Sequence, residues 1–192
     1  GIDCVVNVAG VLRGPDLHAV HVAMPQALHA ACGKAGVRRL ILISAVSART
    51  DVATDYARTK LEGEAALRSS GLRWTILRPS LVVAEGSYGG TSLLRGLAAL
   101  PLFQPLAGDG RFAFSPIHAD GLARSVRLAC EDLWFVNMTL EPAGPQTLTL
   151  RELTTRYRNW LGFGRTRFAS IPMPLMRALG RLGDLAGSGP VS

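Results

Sequence analysis

The stretch DYARTKLEGEAALRSSGLRWTILRPSLVV, residues 55–83, decides the fold, because it joins a helical pattern to a buried strand. Its first half repeats apolar and small residues at helical spacing. Its second half, LRWTILRPSLVV (72–83), is a largely apolar run of the kind found in parallel sheets, and RRLILISA (38–45) has the same character. A strand, a helix and a second strand with short connections predict a right-handed βαβ crossover in an open parallel sheet.

The same alternation extends to both sides of this unit. IDCVVNVAG (2–10) is a short apolar run closed by glycine, which predicts another buried strand. LHAVHVAMPQALHAACGKAG (17–36) predicts a helix, in which Pro25 either begins the main body or introduces a kink. SLLRGLAAL (92–100) predicts one more helix after the third strand.

Beyond residue 100 the alternation is less regular. Residues 108–130 predict a turn, a short strand and a helix, and residues 133–140 predict a strand. Thr149 and Glu152 have the spacing of a capping box and predict a helix start, and residues 171–187 predict a last amphipathic helix. We therefore predict an α/β fold, with a doubly wound, Rossmann-like parallel sheet in residues 1–133 and a small α+β annex in residues 134–192.

Composition places the chain among globular proteins. Hydrophobic residues make up 48% of the 192 residues and charged residues 18%, which excludes a disordered chain. The cysteines Cys4, Cys32 and Cys130 form no Cys-x-x-Cys pair, so we expect reduced, buried thiols and no metal site. No apolar run reaches the ~18 residues that a membrane span needs, and we expect a cytoplasmic protein.

Positive charge is concentrated at the end of the chain. Residues 1–150 carry 14 Lys or Arg against 12 Asp or Glu, a balance of +2, and residues 151–192 carry seven Arg against Glu152 and Asp184, a balance of +5. The excess indicates either a solvated face or a surface for an acidic protein or the periphery of an anionic membrane. Aromatic residues do not alternate with the arginines as in a base-stacking platform, so we predict no nucleic-acid partner.

Tyr56 and Lys60 are four residues apart in the predicted helix, which places both side chains on one face. The pair is unusual for this chain, because only Lys34 and Lys60 among its 21 basic residues are lysines. A free tyrosine has a pKa of about 10, and a cation within ~4–6 Å lowers it by about 1–3 units. The pair therefore predicts proton transfer. The alternative is an amphipathic helix with a half-buried tyrosine and a solvated lysine.

Six segments in this order resemble the short-chain dehydrogenase/reductase superfamily, in particular its extended and atypical branches. The segments are VNVAGVLRG (6–14), AACGKAGVRRLILISA (30–45), DYARTKLEGEAAL (55–67), RWTILRPSLVV (73–83), GDGRFAFSPIHADGLAR (108–124) and TLTLRELT (147–154). These branches include sugar-nucleotide epimerases and dehydratases, and the nucleotide-binding accessory subunit of respiratory complex I. The resemblance implies an NAD or NADP cofactor and a small-molecule substrate.

The resemblance also implies a role for each residue of the site. Tyr56 is then the catalytic acid/base, and Lys60 modulates it and donates a hydrogen bond to the nicotinamide ribose. Ser44 orients the substrate oxygen beside Tyr56; the alternative is a serine that ends a strand in a turn. Four more residues are implied to form the cofactor site. Asn7 braces the loop, Ala9 and Gly10 are small enough to let the cofactor backbone pass, and Pro79 faces the nicotinamide.

Two functions follow from the resemblance. The first is an NAD(P)-dependent oxidoreductase or epimerase-like enzyme, which couples proton transfer by the Tyr-Lys pair to hydride transfer. The second is a non-catalytic subunit that holds a dinucleotide or senses its redox state, similar to the complex I accessory subunit.

The glycine-rich fingerprint that holds the dinucleotide pyrophosphate in this superfamily does not occur in its expected place. The string GDGRFA (108–113) has the spacing but runs into a strand-like segment rather than a helix, so it is a false match. The superfamily places the true loop before residue 1, and we expect the sheet to lack its N-terminal βαβ portion. The chain as given should then bind a dinucleotide weakly and be inactive by itself, and its exposed first strand should cause poor solubility or self-association.

Other polar residues and one glycine have simpler interpretations. His118 and Asp120 match a segment that borders the substrate region in the superfamily, but helix capping by Asp120 explains them more simply. Gly63 lies two turns after Tyr56 and is expected to allow close helix packing. The first helix contains three histidines without acidic or cysteine partners at ligand spacing, and we interpret them as surface or packing residues: His18, His21 and His29.

Overall fold

A four-stranded parallel sheet organises the first part of the chain. The computed structural model describes residues 1–86, 90–172, 174 and 175. Its strands are β1 (Cys4–Asn7), β2 (Arg39–Ile43), β3 (Arg73–Leu77), β4 (Val82–Val83), β5 (Phe103–Ala107), β6 (Ala113–Phe114), β7 (Ile117–His118), β8 (Met138–Leu140), β9 (Leu148–Thr149) and β10 (Arg167–Ile171). The large sheet has the order β1-β2-β3-β8, and every neighbouring pair is parallel. The predicted α/β, Rossmann-like sheet is confirmed.

Helices pack on both faces of this sheet. The described helices are α1 (Met24–Lys34), α2 (Asp55–Arg68), α3 (Gly90–Ala98), α4 (Ala119–Glu131) and α5 (Leu150–Trp160), with a π-helical turn at Ala19–Ala23 and a 3-10 turn at Leu133–Phe135. Side chains alternate along a strand, so Leu40 and Leu42 of β2 pack with α1 and α2, whereas Ile41 packs with α4. None of the described helices combines the length and the apolar character that crossing a bilayer requires.

Pro25 explains the π-helical turn that precedes α1. Proline has no N–H, and its ring collides with the carbonyl four residues earlier, here that of His21. The helix widens over residues 19–23, and Pro25 then lies in the first turn of α1. The His21 carbonyl lies against Gly63 of α2, where an added Cβ would be 2.1 Å from the oxygen. Only glycine fits there, so the prediction that Gly63 allows close helix packing is confirmed.

The chain divides into two units, and their limits differ from the predicted ones. The first unit contains Gly1–Val82 and Ile117–Gly144, and the second contains Val83–Pro116 and the chain from Pro145 onward. The boundary predicted between residues 133 and 134 falls inside the first unit, because β8 pairs with β3 and returns the chain to the parallel sheet. The segment predicted as an annex therefore contributes a strand to the main sheet.

The described part of the second unit contains α3, α5 and two strand pairs. β5 runs parallel to β10, and β6 runs antiparallel to β9. The start of α5 agrees with the sequence, because the Thr149 side chain accepts from the Glu152 N–H while the Glu152 carboxylate accepts from the Thr149 N–H. This is the predicted capping box.

Arg158 of α5 is buried inside the second unit. Its Nη1 donates to the carbonyls of Ala98 (2.9 Å) and Leu100 (2.7 Å), and its Nε donates to the carbonyl of Gly164 (2.6 Å). The side chain therefore satisfies carbonyls at the end of α3 and ties the loop after α5 to them.

The structure corrects some local predictions. The strand predicted at 133–140 is a 3-10 turn followed by β8, because Asp132 caps the turn through its bond from the Trp134 N–H (2.8 Å). The cap of α4 is His118 rather than Asp120, since His118 Nδ1 accepts from the Asp120 N–H at 3.3 Å. The helix predicted at 171–187, with Leu175, Leu179 and Leu182 on one side, lies outside the described residues except at its first positions.

The segment 108–113 is confirmed as a false match to a phosphate-binding fingerprint. Gly108 and Gly110 have φ values of 58° and 72°, and they form the turn between β5 and β6. No helix begins at this turn in the described chain, so it offers no helix N-terminus to a phosphate group.

The cysteines are free thiols, as expected, but they differ in burial. Cys32 is buried, whereas Cys4 of β1 and Cys130 of α4 are half-buried. The Sγ atoms of Cys4 and Cys130 are 3.5 Å apart.

Candidate active site

The predicted site residues surround the carboxyl ends of β1, β2 and β3, within the first unit. These strands are neighbours in parallel register, so the segments that follow them, residues 8–10, 44–46 and 78–80, leave the sheet at one edge. α2 carries Tyr56 and Lys60 and connects β2 to β3. Open parallel sheets bind their ligands at this edge.

Lys60 is buried, with 6% of its surface exposed, so the alternative of a solvated lysine is wrong. Its Nζ donates to the Ile43 carbonyl at 3.3 Å and lies 5.9 Å from the centroid of the Tyr56 ring. Burial lowers the pKa of Lys60 from 10.5 to about 8, although the charge of Glu64 opposes the change. The ammonium group therefore exchanges its proton close to neutral pH.

Tyr56 is half-buried, and the pKa of its phenol moves against the prediction. The sequence predicted that Lys60 would lower this pKa, whereas burial raises it. Loss of water around the phenolate outweighs the attraction of an ammonium group 5.9 Å from the ring centroid. Tyr56 is therefore protonated at neutral pH.

His21 lies beside Tyr56, which the sequence did not predict. The two rings meet edge to face, with centroids 5.4 Å apart and an interplanar angle of 83°. The Val11 N–H donates to Nε2 (3.2 Å), so Nδ1 carries the ring proton and donates to Thr59 Oγ1 (2.9 Å). Burial and the charge of Lys60 lower the pKa of His21 to about 4. His21 is a neutral packing residue at the site.

The loop after β1 approaches Lys60 closely. Asn7 is buried, and its Oδ1 accepts from the Ala9 N–H at 3.0 Å, so Asn7 braces this loop as predicted. A Cβ added to Gly10 would lie 3.2 Å from Lys60 Nζ, which leaves little room for any larger residue. Asn7 Nδ2 has no hydrogen-bond partner in the described chain.

Glu64 is a site residue that the sequence prediction missed. It is fully buried, and its Oε1 accepts from Ser44 Oγ (2.7 Å) and Arg78 Nε (2.9 Å). Its Oε2 accepts from Arg78 Nη2 (2.7 Å) and Arg68 Nη2 (2.8 Å). Burial raises the pKa of Glu64, but the bonds from Arg78 and Ser44, with the arginine charges, outweigh burial and lower it. The sequence feature that could have indicated Glu64 is its position four residues after Lys60, on the same face of α2.

Ser44 and Pro79 lie at the ends of β2 and β3, where the sequence placed them. Ser44 is buried and donates its hydroxyl proton to Glu64, so only its lone pairs are available to another partner. The Pro79 carbonyl accepts from the Val46 N–H at 3.2 Å, which links the two loops. The structure therefore brings Tyr56, Lys60 and Gly10 together and ties Ser44 to the buried carboxylate.

The donors at this edge fit the nicotinamide end of a dinucleotide. Lys60 uses one of its three N–H groups on Ile43, and the amide protons of Asn7 are unused in the described chain. The missing Cβ of Gly10 leaves space beside the ammonium group. Ribose hydroxyls and a carboxamide oxygen are the acceptors that such donors bind.

Comparison with known proteins supports an NAD(P) cofactor. A family model described as NAD(P)H-binding matches residues 1–96. A ceramide reductase of Caulobacter vibrioides is 24% identical over 186 residues, which cover 96% of this chain and 58% of that protein. A (4-alkanoyl-5-oxo-2,5-dihydrofuran-3-yl)methyl phosphate reductase of Streptomyces griseus is 26% identical over 163 residues, which cover 84% of this chain and 53% of that protein. The chain thus spans little more than half the length of these relatives.

Solved structures show the same fold. The UDP-glucuronic acid 4-epimerase of Bacillus cereus in complex with NAD matches with a TM-score of 0.74 at 19% identity, over 88% of this chain and 63% of that one. At this identity the likeness concerns the fold.

Proposed function

Because this chain belongs to the NAD(P)H-binding family, we propose that it is part of an NAD(P)H-dependent reductase in which Tyr56 supplies the proton for reduction of a carbonyl group. The observation that carries the proposal is the approach of the buried Lys60 ammonium group to the half-buried Tyr56 ring, 5.9 Å from its centroid, at the carboxyl ends of the strands. The reductases among its relatives support this direction of reaction. An epimerase-like reaction would use the same proton transfer in both directions.

The chain offers a cradle for the nicotinamide and its ribose. Lys60 and Asn7 would donate to the ribose and the carboxamide, and Ala9 and Gly10 would let the cofactor pass close to the β1 loop. Pro79 would border the ring. The nicotinamide, when bound, supplies the hydride.

Tyr56 would act as the general acid. Its raised pKa keeps the phenol protonated until the substrate oxygen takes the proton. The carbonyl carbon gains a hydride and the oxygen gains the Tyr56 proton, so the product is an alcohol and Tyr56 becomes a phenolate. The Lys60 ammonium group stabilises this phenolate and, with a pKa of about 8, can return a proton to it.

We also propose that Ser44 orients the substrate oxygen, with a restriction set by Glu64. The Ser44 proton is donated to the carboxylate, so in this geometry its oxygen can accept from a substrate hydroxyl but cannot donate to a carbonyl. Ser44 would therefore contact the alcohol form of the substrate.

Substitution of Tyr56 tests the proposal in the protein as encoded in its gene. Tyr56→Phe should reduce turnover by at least ~100-fold, the scale of a lost acid/base group. The matched control is Tyr157→Phe, because the buried Tyr157 hydroxyl has no hydrogen-bond partner in the described chain. Its turnover should stay within about twofold of the unsubstituted protein. Unchanged turnover in Tyr56→Phe would remove Tyr56 from the mechanism.

A second candidate function is a subunit that holds a dinucleotide without turnover, as in the complex I accessory subunit that the sequence resembles. The engagement of Ser44 with Glu64 favours it, because Ser44 then has no proton to donate to a substrate carbonyl. Incubation with NADH or NADPH and a panel of aldehydes, ketones and nucleotide sugars separates the two. Cofactor binding without oxidation would favour the subunit. The basic segment after residue 150 would then contact an acidic protein or an anionic membrane.

A further inference from the structure

We infer that Glu64 is a positioning residue, which binds α2 to the carboxyl ends of β2 and β3 and thereby fixes Lys60 relative to the ends of these strands. The meaning of this role for catalysis rests on the proposed function. The geometry of Glu64 and the experiment that tests its role do not depend on the proposed function.

The first step concerns the helix and β2. Lys60 and Glu64 are four residues apart on α2, and they contact consecutive residues at the end of β2, Ile43 and Ser44. Lys60 Nζ donates to the Ile43 carbonyl, and Glu64 Oε1 accepts from Ser44 Oγ. Two contacts one turn apart prevent α2 from sliding or rotating against β2. The position of Lys60 therefore depends on the hydrogen bond between Ser44 and Glu64.

The second step concerns β3. Arg78 follows this strand directly and makes a two-bond contact with Glu64, and its backbone N–H donates to the Leu140 carbonyl of β8 (2.8 Å). A paired guanidinium–carboxylate contact fixes orientation as well as distance. Glu64 thus connects α2 with the ends of two strands that border the site.

The third step concerns what Glu64 does not do. Each of its oxygens accepts two hydrogen bonds, and the residue is fully buried. A carboxylate with about four acceptor positions has none left for a substrate or a cofactor. Glu64 therefore acts through Lys60 and Ser44, and it is not a catalytic residue.

The fourth step concerns charge around Lys60. Tyr56 on the same helix is protonated, and His21 on the π-helical turn is neutral, since its pKa is about 4. Glu64 supplies negative charge that favours the ammonium form of Lys60. Without it, Arg68 would lose its ion pair, and Arg78 would keep its 4.0 Å contact with Glu141. Loss of the Glu64 charge would therefore favour the neutral amine of Lys60.

The chain is well suited to a direct test, because Lys34 and Lys60 are its two lysines. Lysine labelled with ¹³C at Cε gives one NMR signal for each, and Lys34→Arg assigns them. The Lys60 signal is titrated in the unsubstituted chain, in Glu64→Gln and in Glu62→Gln. Glu62→Gln is the matched control, because it removes the same charge from the same helix at a partly exposed residue paired with Arg58.

We expect the Lys60 midpoint to fall by about one unit in Glu64→Gln and to stay within about 0.3 unit in Glu62→Gln. An unchanged midpoint in folded Glu64→Gln, or equal shifts in both variants, would overturn the inference. If Glu64→Gln does not fold, Arg68→Gln replaces it. Removal of that partner leaves more of the Glu64 charge uncompensated, so the midpoint should rise, and a fall would overturn the inference.

The readout separates this inference from the proposed function. A shifted midpoint together with unchanged turnover in Tyr56→Phe would keep the role of Glu64 and reject the reductase mechanism. An unchanged midpoint together with a ~100-fold loss in Tyr56→Phe would keep the mechanism and reject the role of Glu64.

Discussion

Lys60 in the first unit and Arg158 in the second are equally buried, each with 6% of its surface exposed, but their charges are held very differently. Arg158 donates to three backbone carbonyls at 2.6 to 2.9 Å. Lys60 has one long bond, 3.3 Å, to the Ile43 carbonyl. Arg158 is a structural cation. Lys60 keeps N–H donors available to another partner, and this arrangement lowers the stability of the folded chain.

The comparison shows how a functional charge differs from a structural one in the same chain. A buried cation that donates to several carbonyls holds its neighbours in place, and its removal takes a charged donor away from each of them. A buried cation with few partners is destabilising while charged, and its lowered pKa records that cost. Opposite stability changes should follow when each is replaced by methionine.

The largest effect is expected for Arg158→Met, which should destabilise the chain by about 3 kcal/mol. The carbonyls of Ala98, Leu100 and Gly164 would lose a charged donor. The neutral amide of Gln104, which also donates to Ala98 and Leu100, would remain. Urea denaturation measures the change. The control is Arg156→Met on the exposed side of α5, expected within about 0.5 kcal/mol. A loss for Arg158 no larger than for Arg156 would break the comparison.

Lys60→Met should stabilise the chain by about 2 kcal/mol at pH 7, although it removes a site residue. The pKa of Lys60 is about 8 in the folded chain and 10.5 in the ordinary case, so between these values the unfolded chain binds more protons. The free energy of unfolding of the unsubstituted chain therefore rises with pH over this window, and the advantage of Lys60→Met shrinks. Urea denaturation at pH 7 and pH 10 measures it. A gain of the same size in the exposed control, Lys34→Met, would contradict the explanation.

Gly63→Ala should destabilise the chain by about 1.5 kcal/mol, because the new methyl group meets the His21 carbonyl. Relief of this clash moves α2 away from the π-helical turn, so the Lys60 midpoint should also rise from about 8 toward 10.5. Gly33→Ala is the control, since a Cβ there meets nothing within 4 Å and alanine is the better helix former. Thermal unfolding compares the two. Equal effects would show that the close approach at Gly63 is unimportant.

Arg49→Gln should have the smallest effect, below about 0.5 kcal/mol. Its guanidinium bonds to Glu141 at 2.8 and 2.9 Å, but both side chains are nearly half exposed. An ion pair with good geometry but little burial should contribute little to the free energy of unfolding, measured by urea denaturation at moderate salt. A loss above about 1.5 kcal/mol would mean that bond geometry, rather than burial, separates Lys60 from Arg158.

Local patterns in the sequence predicted the sheet and the spacing of the site. The apolar runs at 2–10, 38–45 and 72–83 became β1, β2 and β3, and the four-residue spacing placed Tyr56 and Lys60 on one face of α2. The return of the chain in β8 was harder to predict, because a three-residue strand has too short a pattern.

The electrostatics of the site depend on residues that are distant in sequence, and for that reason the sequence could not predict them. The burial of Lys60 depends on its surroundings, including the Ile43 carbonyl and the β1 loop near Gly10. The charge of Glu64 is held by Arg78, fourteen residues later, in a bond that no helical spacing indicates. Burial of Tyr56 likewise reversed the expected direction of its pKa.

The thiols of Cys4 and Cys130 show that proximity and reactivity are separate properties. Their sulfur atoms are 3.5 Å apart, close enough to suggest a pair ready for oxidation. Burial and the neighbouring thiol raise the pKa of Cys4 to about 12. At pH 7 Cys4 is then a neutral thiol, whereas the thiolate is the form that attacks peroxides, disulfides and alkylating reagents. The closeness of β1 and α4 at this point therefore does not by itself make Cys4 a nucleophile.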